Sequence, residues 1–134
     1  MNLEGETILE WMPIEDVSKR YDVSNITWQG DKIEFMVVEE AFDKSNQPLI
    51  YRFIWNSSEL VSYHVADETY RADCWGITKE FKEVGRFFAR KSSMYLDKMK
   101  ERSPLFPNDA IHFTIIGTNI IVDVIATDYP IVKR

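Results

Sequence analysis

Hydrophobic and polar positions alternate with period two through most of the chain, and that alternation predicts strands. Ile33, Phe35 and Val37 point one way, while Lys32, Glu34 and Met36 point the other, so Lys32 to Glu40 reads as a half-buried strand. Val23 to Trp28 precedes it across the turn-compatible Gln29-Gly30-Asp31. Leu49, Tyr51, Phe53 and Trp55 alternate with Ile50, Arg52 and Ile54, and Leu60 to Ala66 follows Asn56-Ser57-Ser58, which predicts a hairpin. Thr7 to Met12 reads as an edge strand ended by Pro13, followed by a short helical turn from Ile14 to Arg20. Ala110 to Ile116 and Ile120 to Thr127 are rich in β-branched residues and form the strongest predicted hairpin, placed centrally in a sheet, with pairing ended at Tyr129-Pro130.

One stretch changes period. Between Thr78 and Arg102, Phe81, Val84, Phe88, Tyr95 and Met99 fall close to helical spacing. Thr78 supplies an N-cap and Pro104 follows the end, which predicts one long helix; Ser92-Ser93 marks the place where it would break into two. The expected architecture is α+β over residues 1–134 as a single domain. It has a mostly antiparallel sheet of about five to seven strands with one long helix packed on one face.

A chain of 134 residues is long enough to bury one core without staples. Cys74 is the only cysteine, which excludes an internal disulfide and fits a reducing compartment. The N-terminus lacks the basic and apolar regions of a signal peptide, and no apolar stretch reaches the length of a membrane span. These features predict a cytoplasmic protein without a membrane partner.

The net charge of -6 is unevenly spread. Residues 1–70 carry 14 acidic and 5 basic side chains, whereas residues 71–134 carry 8 and 11. Such asymmetry suits a face aimed at a basic partner, although an ordinary solubilising surface also produces it. The basic side chains of the predicted helix are interrupted by Glu80, Glu83, Asp97 and Glu101, so nucleic acid is not an expected partner.

Motifs for chemistry are sparse. Cys74 with His64 or His112 offers a thiol and an imidazole, but no local signature surrounds the cysteine. His64, Asp67, Glu68, Asp73 and Cys74 crowd together without metal-ligand spacing, and adjacent carboxylates such as Glu39-Glu40 diverge on a strand. The five glycines form no phosphate-binding loop, so neither a metal nor a cofactor is expected. The segment from Tyr63 to Gly76 mixes Tyr70, Arg71 and Trp75 with acids, a composition typical of interface hot spots; a plain connecting loop would serve as well.

In size, acidity, single-domain layout and lack of a catalytic motif, the chain resembles the small bacterial immunity proteins that neutralise secreted polymorphic toxins. The resemblance is to a class, carried by stretches such as Ile26-Thr27-Trp28-Gln29-Gly30-Asp31-Lys32-Ile33-Glu34-Phe35, and it transfers no functional residue. It implies an inhibitory, non-enzymatic protein whose acidic face captures a basic toxin enzyme. Glu34, Glu39, Glu40, Asp67, Glu68, Tyr70, Arg71 and Trp75 are the expected contact residues. The competing readings are a small enzyme with a site around His64, His112 and Cys74, and a self-associating structural module.

Overall fold

A computed structural model of the chain describes residues 8–9, 11–14, 20–40, 47–67, 69 and 86–134. Its strands are β1 (Ile8–Leu9), β2 (Tyr21–Gln29), β3 (Lys32–Glu39), β4 (Ile50–Asn56), β5 (Leu60–Asp67), β6 (Phe87–Arg90), β7 (Ile111–Ile116), β8 (Ile120–Ala126) and β9 (Ile131–Lys133). The helix α1 spans Met94–Arg102. The fold is α+β with antiparallel pairing throughout. Instead of one sheet of five to seven strands there are two, ordered β1-β6-β7-β8-β5 and β2-β3-β4-β9.

The strand alternation explains the second sheet. Ile33, Phe35, Val37, Tyr51, Phe53 and Trp55 make one inward face, and Phe87, Ala89, Phe113, Ile115, Val122 and Val124 make the other. Each face needs an apolar partner, and they find it in each other. Trp11 inserts between them, edge-on to Phe53, Phe87 and Phe113 at centroid distances of 6.0, 5.9 and 4.9 Å. β2 crosses over the five-stranded sheet, since Tyr21 meets Phe87 of β6 whereas Trp28 meets Tyr63 of β5.

The predicted hairpin of β4 and β5 does not form. β4 pairs with β3 and β9, β5 pairs with β8, and the chain changes sheets between them. The turn is tied by Asn56 Nδ2 donating to Glu59 Oε1 at 2.7 Å, and by Ser57 N–H donating to Asp31 O at 2.6 Å. Pairing also continues past Pro130, because β9 takes the edge of β4 that β5 leaves free. β7 and β8 do form the expected hairpin at the centre of their sheet. Gly117 in its turn is required by close approach: a Cβ there would lie 2.7 Å from Asp22 Oδ1 and 2.8 Å from Ile120 O. Gly30, at φ +57°, begins the two-residue loop between Gln29 and Lys32, which are paired.

The single long helix is also corrected. Phe87–Arg90 is a strand and α1 begins only at Met94, while residues 78–85 lie outside the described residues. All the residues of β6 are buried. A short, fully buried strand therefore carries no polar face to distinguish it from a helix, and periodicity alone misleads. Arg90, which helical spacing would leave on a solvated face, is only 4% exposed. α1 itself buries Leu96 with Ala110 and Ile125 against part of the outer face of the five-stranded sheet. The main core lies between the sheets, not under the helix. The helical turn expected at 14–20 falls mostly outside the described residues.

Candidate functional site

The outer face of the five-stranded sheet holds a buried polar cluster. β6 sets Arg90 opposite His112 of β7, and Thr114 of β7 stands opposite Asp123 of β8. Period-two alternation turns these side chains away from Phe113, Val122 and Val124, which enter the core. Ser93, the N-cap of α1, closes over them. Arg90, Ser93, His112, Thr114 and Asp123 are all buried.

One proton assignment satisfies the chain of contacts. Leu96 N–H donates to Ser93 Oγ at 3.1 Å, and the Ser93 hydroxyl donates to His112 Nδ1 at 2.8 Å. His112 Nε2–H donates to Asp123 Oδ1 at 2.6 Å. From the other side, Arg90 Nη2 donates to Thr114 Oγ1 at 2.8 Å, and the Thr114 hydroxyl donates to Asp123 Oδ1 at 2.9 Å. A cation and an anion thus share one buried network through a hydroxyl, the condition under which buried charge is tolerated.

Serine, histidine and aspartate in hydrogen-bonded sequence are also the chemistry of an activated nucleophile. Here the carboxylate sits on Nε2 and the serine on Nδ1, and the Ser93 oxygen is already the acceptor of a helix cap. As built, the cluster fastens α1 to the sheet. Ser93→Ala is expected to lower stability by about 1–2 kcal/mol, as loss of a cap does, and the shift in urea midpoint would measure it.

His64 and His112 lie on this same outer face, with the Tyr95 ring between them at centroid distances of 6.5 and 5.0 Å. His64 is exposed and is the cross-strand neighbour of Asp123. Cys74, the third member of the enzyme reading, lies outside the described residues, as do Glu68, Tyr70, Arg71 and Trp75. Among the described residues no group of three or more His, Cys, Asp or Glu is placed to hold a metal.

The described acidic residues occupy different settings. Glu34, on the outer face of the four-stranded sheet, lies 3.6 Å from Arg52 Nη1. Glu40 accepts from the Thr118 hydroxyl at 2.6 Å. Glu39 follows Ile33, Phe35 and Val37 inward and is only 5% exposed, so it is not part of the free surface. Asp67 is exposed at the end of β5. Thr69, through its side chain and then its backbone N–H, holds the Asp67 carboxyl below the ordinary range.

β5 is an end strand of its sheet, and its inward-facing residues reach the mouth between the sheets. Trp28 is 54% exposed, Tyr63 39% and Val65 38%. The Trp28 and Tyr63 rings meet at 6.4 Å, and Tyr63 packs edge-on to buried Phe35 at 5.7 Å. No protein-family model, curated protein or solved structure matches this chain. The sequence brought Tyr63 forward but treated Trp28 as an ordinary strand residue, because only the crossing of β2 over β5 leaves it at the rim. Of the Ser93–His112–Asp123 array the sequence offered His112, as an imidazole beside Cys74, and Ser92-Ser93, as a helix break; its partners are separated in sequence and meet through strand register.

Proposed function

We propose that the chain is a protein-binding, inhibitory protein of the cytoplasm, an immunity protein that neutralises a basic toxin enzyme. One observation carries this reading. Ser93, His112 and Asp123 are tied into a buried network, whereas the open surface offers Trp28, Tyr63 and an ionised Asp67. Aromatic side chains at an exposed rim are typical of binding hot spots. The net charge of -6 supports steering toward a basic partner and disfavours nucleic acid.

The test is capture from lysate of the source cell by tagged protein, beside a variant with Glu34, Glu40, Asp67 and Glu68 reversed to Lys. Glu39 is left unchanged because its burial would confound binding with unfolding. The expected result is one stoichiometric basic partner, lost in the variant while thermal unfolding stays cooperative. Capture that survives reversal at moderate salt sinks the acidic contribution. A Cys74-dependent reaction with a thiol-directed electrophile that also needs His64 or His112 would instead favour the enzyme reading, and a stable oligomer in light scattering would favour the self-associating module.

A further inference from the structure

We infer that the open edge of β5 is a strand-addition site for an extended segment of a partner protein, with an apolar, apolar, basic pattern at alternate positions. The inference rests on the protein-binding reading and specifies its contact. Among the described residues β5 pairs with β8 alone, so alternate backbone amides and carbonyls face outward along its free side. Unpaired main-chain groups in a row are best satisfied by another strand. Other sheet edges are less suited: β1 has 2 residues and β9 has 3. Although β2 and β5 each carry a register shift, between Val23 and Asn25 and between Leu60 and Ser62, the longer regular run of β2 is only Asn25 to Gln29. β5 keeps regular register from Ser62 to Asp67. Another open apolar surface, around Ile50 and Ile131, is divided by Arg52 and Lys133, which stand opposite each other.

The side chains state what the strand must carry. Tyr63, Val65 and Asp67 share one face, and the exposed Trp28 of the facing sheet meets Tyr63 on it. A docked strand would set apolar side chains beside Tyr63 and Val65, touching Trp28, and a Lys or Arg beside Asp67. A second copy is a poor occupant. Leu60–Asp67 contains no Lys or Arg, so β5 paired with itself gives Asp67 no cation, and each copy brings a charge of -6.

The test selects displayed random short peptides against the full chain, followed by amide hydrogen exchange on the complex. The expected winners carry two apolar residues and a Lys or Arg at alternate positions, ordered Lys/Arg-x-apolar-x-apolar for an antiparallel strand and the reverse for a parallel one, and slow exchange in β5. Trp28→Ser should weaken them about thirtyfold, as for a hot-spot aromatic. Asp67→Lys should weaken them about tenfold and turn the preference from Lys toward Glu. Both residues are exposed, so unfolding should remain cooperative. No enriched peptide, enriched peptides that leave β5 exchange unchanged, or a dimer dispersed by Trp28→Ser would each overturn the inference. If lysate capture persists in Trp28→Ser, the binding reading stands and the edge site falls. If wild type captures nothing, the binding reading falls as well.

Discussion

Asp123→Ala is expected to lower the unfolding free energy by about 3–5 kcal/mol, the range for breaking a buried charged network. Asp123 is 1% exposed and accepts from both His112 and Thr114 at the centre of the cluster. Removing it takes away the acceptor shared by two buried donors and the negative charge that shares the cluster with Arg90. A domain of ordinary stability has about 5–15 kcal/mol in total, so the variant should lie near its folding threshold. Asp123→Asn keeps an acceptor while removing the charge, so the gap between the two variants separates hydrogen bonding from charge. Urea unfolding of both proteins is the measurement. An Ala variant within about 1 kcal/mol of wild type, the size of an ordinary mutational effect, would mean that the cluster is not an energetic unit.

Phe113→Ala should cost a similar amount, about 3–5 kcal/mol, by a different route. Phe113 is fully buried, and its ring meets Trp11, Trp55 and Tyr129 at 4.9, 5.4 and 5.2 Å. Truncation loses apolar burial and leaves a cavity in the layer that joins the two sheets. Because both sheets contribute walls, neither can move in without disturbing the other. Phe113→Leu should recover most of the loss, since it restores much of the volume. Calorimetric or urea unfolding showing equal stability for the Ala and Leu variants would contradict this account of the core.

These two residues are neighbours on the same sheet but face opposite ways, and the sequence conveyed them unequally. Phe113 was legible as part of a β-branched and aromatic run, because residue content is a local signal. Asp123 was legible only as a polar residue inside an apolar stretch. What it meets depends on β7, β8 and the start of α1 converging, which no spacing encodes.

The same contrast runs through the molecule. Local alternation determined the strands around Ile33 and Phe53, and β-branched content determined those around Phe113 and Val124 and with them the central hairpin. Tertiary structure decided how those strands were shared between sheets. β4 and β5 are adjacent in sequence and joined by a short turn, yet β9 and β8 supply their partners. It also decided that Phe87–Arg90 is a strand, because burial on both faces removes the polar alternation by which a strand is recognised. The sequence determined a surplus of acid in the first half of the chain. Only the fold turned Glu39 inward, left Asp67 and Trp28 at an open rim, and locked Ser93, His112 and Asp123 away from water. Periodicity reports which face a side chain occupies on its own element; whether that face meets solvent, a helix or another sheet is fixed by contacts distant in sequence.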